Sequence, residues 1–541
     1  MLVELLAAAV VLAAPPGRPN ILFIMADDHG KQAISCYGST LTATPGIDRI
    51  AREGIRFDRS SVTNAICGPS RAVILTGKHS HVNGFTTNEQ RFDNGQQTYP
   101  KLLRAAGYRT EVVGKWHLES DPTGFDHFDV LVGQGDYWNA EFSVDGVRQR
   151  REGHVTDVIH RETIARLDAL AERAEQGTPF ALIVHHKAPH RNWMPQPKYY
   201  GLFSGAPIPE PATLFDDYAG RSVASSMQKM LIARDLAWEY DLKVDTRRLF
   251  PNARLAQLDQ WMTNELARLP QSVRDGVRDA YAADNGALYA AFGGMDARAV
   301  TSWKFQRYAK DYLRTAQGVD DSVGGILAEL DRLGIADNTL VIYTSDQGWF
   351  LGEHGWFDKR WAYEESLRTP LVMRWPTEIP AGSASGALVQ NLDFAPTILA
   401  AAGVEIPPDM QGVSMLPLVR VGGVERALFR DAVYYRFEES KGPHTVPRHE
   451  AVVTARHKLI RFLDRKDAQG APVIELYDLE RDPDERTSLA GRSEASEVER
   501  EMRRRLDEVR ARYRVPEESD SAPITKGAEK APAAPSLAHL P

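Results

Sequence analysis

Ile21-Leu22-Phe23-Ile24-Met25 is an unbroken apolar run that ends in the polar cluster Asp27-Asp28-His29-Gly30. A short continuous run of this kind reads as a strand buried on both faces. Three more stretches repeat the design. Thr110-Glu111-Val112-Val113 leads into Gly114-Lys115-Trp116-His117, and Phe180-Ala181-Leu182-Ile183-Val184 into His185-His186-Lys187-Ala188-Pro189-His190. Leu340-Val341-Ile342-Tyr343 leads into Ser345-Asp346-Gln347-Gly348. Before this last strand, Tyr312, Ala316, Val319, Val323, Leu327, Leu330 and Leu333 recur at the three- and four-residue spacing of an amphipathic helix. Alternating strand and helix predicts a doubly wound α/β sheet, and such sheets bind ligands beyond the carboxyl ends of their strands. Alone, each polar cluster could be a loop or a helix cap. Four of them, all carrying Asp, Lys or His, predict a site.

A fifth element belongs with them. In Cys67-Gly68-Pro69-Ser70-Arg71, proline just inside the apolar run Ala72-Val73-Ile74-Leu75 marks a helix start. Cys67 then stands at a helix N-terminus, where free N–H groups and the helix dipole favour an anion. Arg71, one turn on, adds a cationic fork suited to tetrahedral oxyanions.

Composition narrows the class. The 541 residues allow two domains and a large core, and 43% apolar with 26% charged residues is ordinary for a globular protein. A formal net charge of −8 argues against general nucleic-acid binding. Two cysteines, Cys36 and Cys67, provide neither a disulfide framework nor a cysteine zinc cluster. Residues 1–17 contain the run Leu5–Ala14, too short to span a membrane but the right length for a signal-peptide core. Export to the periplasm or medium is therefore expected. The chain has no Asn-x-Ser/Thr sequon, which suits a bacterial exported protein.

The catalytic α/β domain is expected over 18–403, with a polar, helix-leaning insertion at 202–301 that could form a wall or lid. A smaller C-terminal domain over 404–515 is expected to hold antiparallel strands at Ala432–Phe437, Ala451–Thr454 and Lys458–Phe462, then a charged helix across Glu497–Tyr513. The Ala-, Pro- and Ser-rich tail, 516–541, reads as disordered.

Asp27, Asp28, Asp346 and Gln347 offer hard oxygens without thiolates, a set suited to calcium or magnesium rather than zinc. Lys115, His117, His190 and Lys359 are candidates for binding an anion and moving protons. Together with Arg71 and the helix N-terminus they describe a pocket for a phosphate or sulfate group.

Cys67-Gly68-Pro69-Ser70-Arg71 resembles the Cys-x-Pro-Ser-Arg signature of the sulfatase family. The stretch Gly107-Tyr108-Arg109-Thr110 through Gly114-Lys115-Trp116-His117 resembles its second signature. Arg18-Pro19-Asn20-Ile21 through Asp28, and Thr344 through Gly348, resemble its metal-binding strand ends, and the likeness extends from about Arg18 to Ala490. It implies an alkaline-phosphatase-like sandwich with a large mixed, mostly parallel sheet and a smaller C-terminal domain of antiparallel sheet and helix. It also implies that a maturation enzyme oxidises Cys67 to formylglycine (3-oxoalanine), whose hydrated aldehyde is the nucleophile. By the same likeness, Asp27, Asp28, Asp346, Gln347 and the modified Cys67 hold calcium; Gln347 stands where many relatives have Asn. Arg71 and Lys115 would orient the nucleophile, Lys359 would hold sulfate, His190 would be the acid and His117 the base.

The segments Leu351–Gly355, Asp358-Lys359-Arg360, Tyr363–Pro370 and Lys187–Trp193 resemble bacterial glycan sulfatases of the N-acetylglucosamine-6-sulfatase kind. A sulfated sugar or glycosaminoglycan fragment is thus the expected substrate, and a sugar 6-sulfate the preferred one. Two rivals stand beside this. One is a phosphonate or phosphate diester hydrolase on the same scaffold. The other is a catalytically silent glycan-binding protein, which the retained nucleophile, ligands, lysines and histidines argue against.

Overall fold

The computed structural model describes residues 18–252, 254–419, 429–439 and 442–517. The expected signal peptide and nearly all of the expected disordered tail lie outside the described residues. No described helix is long and apolar enough to cross a membrane.

The four strands expected from their apolar runs are Asn20–Ala26, Arg109–Lys115, Phe180–His185 and Thr339–Ser345. They lie side by side and parallel at the centre of a ten-stranded sheet, with Asn20–Ala26 between Phe180–His185 and Thr339–Ser345. Every residue of Asn20–Ala26 and Thr339–Ser345 is buried, as strands covered on both faces require. The sheet is not purely doubly wound. Leu371–Arg374 runs antiparallel beside Thr339–Ser345, and a meander of Glu141–Val144 and Val147–Arg150 closes the other edge. The exposed Val147–Arg150 strand is largely charged, which discourages pairing with another chain.

Helices cover both faces. The amphipathic repeat is the C-terminal half of a 36-residue helix, Ala297–Arg332, whose Tyr312, Ala316, Val319, Val323, Leu327 and Leu330 are all buried. Asp296 caps its start by accepting from the Ala299 N–H at 2.7 Å. The expected insertion boundary at 301 therefore falls inside a helix. Ahead of it the segment is mostly short turns, with two longer helices at Gln257–Arg268 and Gln271–Ala291.

Among the described residues the C-terminal sheet has four strands rather than three: Ala432–Phe437, His449–Thr454, His457–Lys466 and Pro472–Asp478, antiparallel in that order. The missed strand, Pro472-Val473-Ile474-Glu475-Leu476-Tyr477-Asp478, opens on a proline and alternates weakly, so nothing local sets it apart. The Ser496–Tyr513 helix buries Met502, Leu506, Val509 and Tyr513 against this sheet.

Candidate active site

The carboxyl ends of the four central strands converge on the start of the Cys67–Thr76 helix, all ten of whose residues are buried. Each residue of the pentapeptide has a distinct place. Cys67 is 1% exposed. A Cβ on Gly68 would come within 2.6 Å of the Phe85 ring and 2.9 Å of Asn88 Oδ1, so a larger residue would have to displace these side chains. Its N–H donates to Asn88 Oδ1 at 3.0 Å. Ser70 Oγ donates to the Asp346 carbonyl and accepts from Asn391 Nδ2, tying the helix to the loop after Thr339–Ser345.

Arg71 is 1% exposed, its guanidinium lies against the acidic residues, and its Nη2 has no hydrogen-bond partner. Its Nε donates to Asp346 Oδ2 at 3.0 Å and its Nη1 to the Lys115 carbonyl at 2.7 Å, while Nη2 lies 3.6 Å from Asp27 Oδ1. It is a clamp on the acidic residues rather than the open anion fork its sequence position suggested.

Three carboxylates, Asp27, Asp28 and Asp346, bring oxygens within 4.8 Å of one another, and atoms of Asp27, Cys67 and His190 form a second such group. Asp28 N–H donates to Asp346 Oδ1 at 3.2 Å. Lys115 Nζ donates to Asp27 and Lys359 Nζ to Asp28; Lys359 Nζ also lies 3.2 Å from Cys67 Sγ. Gln347 Nε2 donates to Asp28 and sits 3.8 Å from Cys67 Sγ. His190 Nε2 is 3.8 Å from Asp28 Oδ2, and its Nδ1 donates to the Arg191 carbonyl. His117 Nδ1 is buried without a partner.

The cations do not balance the carboxylates evenly. Burial works against ionising Asp27, but Lys115, His190, Arg71 and Lys359 outweigh it and hold the group well below the usual carboxylate range. Burial, reinforced by Asp27, raises Asp28 to about 6 and Asp346 to about 8. Asp27 Oδ1, Asp28 Oδ2 and Gln347 Oε1 are buried acceptors without a donor. Orphaned hard oxygens around like-charged groups are what a bound cation would satisfy. Burial, helped by Asp27, also pushes the Cys67 thiol far up, so the unmodified residue is no thiolate nucleophile. Burial and Lys115 push His117 and His190 well below the usual imidazole range.

Backbone shape contributes what no motif announces. Asp28, His117 and Asp358 adopt positive φ of 70°, 55° and 78°. Non-glycine residues rarely do so, and such conformations gather at functional sites. Other partners also escaped the sequence reading. His185 Nδ1 donates to the Lys115 carbonyl at 3.0 Å, Gln134 Oε1 accepts from Lys115 Nζ, and Asp358 pairs with Arg360 and with His444 Nε2 at 3.1 Å. Asp358 and Arg360 stand in the quoted Asp358-Lys359-Arg360 stretch, but their pairing with each other was not foreseen. His444 comes from the C-terminal domain and carries no local signal.

Residues 19–404 match the sulfatase family, and residues 352–512 match the family described as N-sulphoglucosamine sulphohydrolase, C-terminal. The chain is 46% identical to an N-acetylglucosamine-6-O-sulfatase of Bacteroides thetaiotaomicron, over 92% of this chain and 87% of that protein. It is 28% identical to an N-acetylgalactosamine-6-sulfatase of Rattus norvegicus, over 81% and 72%. A solved structure in complex with its substrate D-glucosamine-2-N,6-O-disulfate is similar at a TM-score of 0.85 and 45% identity, covering 92% of this chain and 98% of that one. A phosphonate monoester hydrolase from Silicibacter pomeroyi shares the fold at a TM-score of 0.68 and 19% identity.

Proposed function

The chain belongs to the sulfatase family of sulfate-ester hydrolases, and we propose that its substrate is a 6-O-sulfated glucosamine unit of a glycan. The observation that carries this reading is the 46% identity, over nearly the whole chain, to a relative named for that sugar and position. Burial of the site agrees with it. Cys67 is 1% exposed, and beside it His190 opens outward, with 17% of its side chain exposed. A 6-sulfate hangs from the ring on an extra methylene, so it can reach a recessed centre while the sugar ring stays at the rim.

The donor set fits calcium: Asp27, Asp28, Asp346 and Gln347 are oxygen ligands, and three of their oxygens lack partners. When bound, the ion would offset charge on the sulfuryl oxygens, and formylglycine at position 67 would supply an oxygen nucleophile. Conversion of Cys67 needs a formylglycine-generating or equivalent maturation enzyme, which must reach a side chain that the folded protein buries.

The chain's own residues do the rest. Arg71 fixes Asp27 and Asp346. Lys115 and Lys359, on either side of position 67, hold the attacking group and the sulfate oxygens. His190 keeps Nδ1–H on the Arg191 carbonyl and turns Nε2 toward the cluster. An anionic sulfate beside it favours the imidazolium, which donates its Nε2 proton to the departing sugar oxygen as the S–O bond breaks. His117, facing the same cations, takes the proton whose removal lets sulfate leave. Export to the periplasm or medium completes the reading, since polymeric glycans are met outside the cell.

The test compares glucosamine 6-sulfate, an aryl sulfate and an aryl phosphodiester on formylglycine-loaded enzyme. The sugar sulfate should have the highest kcat/KM, because sugar contacts raise turnover as well as affinity. Phosphodiester as the best substrate would overturn the reading in favour of the phosphonate-hydrolase branch.

A further inference from the structure

The insertion grips the loop that carries His190. Arg191 donates through Nε and Nη2 to Asp241 at 2.7 and 2.6 Å, and Lys243 Nζ donates to the carbonyls of Asn192 and Trp193 at 2.7 and 2.8 Å. The helix Gln257–Arg268 then meets this loop directly. Asn192 Nδ2 donates to Glu265 Oε2 at 3.3 Å and lies 3.5 Å from Met262 Sδ. Glu265 therefore touches the loop that carries His190; burial raises its carboxyl, Asp136 adds to the effect and Lys187 opposes it.

Helix geometry decides what else faces that way. At 100° per residue the buried side of this helix carries Asp259 and Met262, with Leu266 half-buried beside them. Thr263 lies on one flank and donates to Glu239. Trp261, Glu265 and Arg268, spaced i, i+4 and i+7, form the opposite flank, and Glu265 shows that this flank faces the His190 loop. Of the ten tryptophans, the other nine are buried or half-buried, whereas Trp261 is 53% exposed and has no ring or cation contact among the described residues. The exposed indole stands one helical turn, roughly 6 Å, from Glu265.

We propose that Trp261 and Glu265 form a subsite for the sugar glycosidically linked to the reacting glucosamine 6-sulfate. This rests on the substrate reading above. The apolar face of a pyranose ring would stack on the Trp261 indole, and Glu265 would accept a hydrogen bond from one of its hydroxyls. Such a subsite makes the enzyme selective for an oligosaccharide over the free monosaccharide.

The experiment measures kcat/KM of formylglycine-loaded enzyme on glucosamine 6-sulfate and on a 6-O-sulfated glucosaminide tetrasaccharide, for the wild type, Trp261→Ala and Trp261→Phe. The wild type should prefer the tetrasaccharide by about tenfold, Trp261→Ala should erase the preference, and Trp261→Phe should keep most of it. Binding of both sugars to Cys67→Ala, read by indole fluorescence, should show the same order and lose it in Cys67→Ala/Trp261→Ala. An equal loss on both sugars, or no loss on either, overturns the subsite while leaving the substrate reading intact. A wild type that cleaves aryl sulfate but neither sugar overturns the substrate reading, and the subsite with it.

Discussion

Two of the buried charge clusters in this molecule are built on opposite terms. In the C-terminal domain Glu450, fully buried, accepts from Arg461 and, through its other oxygen, from Tyr434 at 2.5 Å and Arg510 at 2.7 Å. Burial works against its charge, but the Arg461 field and these hydrogen bonds hold it below the usual carboxylate range. Both oxygens are satisfied. At the strand ends, Asp27, Asp28 and Gln347 keep buried acceptors with no donor, and Asp28 and Asp346 are raised rather than lowered. A closed cluster holds a fold together, whereas an open one is shaped for something that arrives. Burial alone does not distinguish them; completeness of pairing does.

The sharpest way to break this distinction is Cys67→Ala. It should reduce turnover by about 10⁴-fold or more and move the melting temperature by no more than a few degrees, since the residue fills little space. Intact-protein mass of active material should show Cys67 converted. Full activity in the alanine variant would make the open cluster irrelevant to catalysis.

His190→Ala comes next. Loss of a positioned acid should cost about 10²–10⁴-fold on a sugar sulfate, whose alkoxide leaves badly. An activated aryl sulfate needs little protonation and should lose much less. Parallel rate measurements on both substrates decide it, and equal losses would reduce His190 to a binding role.

The closed cluster should behave in reverse. Glu450→Ala leaves Arg461 and Arg510 facing each other without their carboxylate, and should cost about 3–5 kcal/mol of stability by urea unfolding. The kcat/KM per folded molecule should stay unchanged. The sign with pH follows from the lowered carboxyl. Its contribution is fully present above the unfolded value, about 4.3, and is lost as pH falls through the folded value. The stability gap between wild type and Glu450→Gln should therefore narrow toward acid.

The smallest expected effect is chelation. Removing calcium should lower stability by about 2.7 kcal/mol relative to a hundredfold excess over Kd and reduce activity, with calcium restoring both better than zinc. A calorimetric scan with and without chelator tests the first and an assay the second. An ion-insensitive protein would mean that the orphaned oxygens have another purpose.

Much of the catalytic half was legible in the chain. A strand buried on both faces must be apolar throughout, so Ile21–Met25 and Leu340–Tyr343 announce themselves, and the polar residues that follow must lie at the sheet's end. The Cys67 pentapeptide is equally local, because proline, helix start and glycine each act over a few bonds. Pro472–Asp478 was missed because its pairing partner, His457–Lys466, supplies the order that its own alternation lacks. The insertion was legible as helical but not as the hand that holds Arg191, Asn192 and Trp193, because those bonds join residues about fifty positions apart.

The sequence by itself therefore picked out the residues that the strand ends and the Cys67 helix bring together: their types and spacing follow from short-range rules of helix starts and strand burial. Only the tertiary structure decided what each one does with its neighbours. It turned Arg71 inward onto Asp27 and Asp346, set Lys359 beside Cys67, brought His444 to Asp358 from the other domain, and left Trp261 exposed to solvent. Electrostatic and packing partners are chosen by distance in space, which sequence spacing does not encode once the chain folds back on itself.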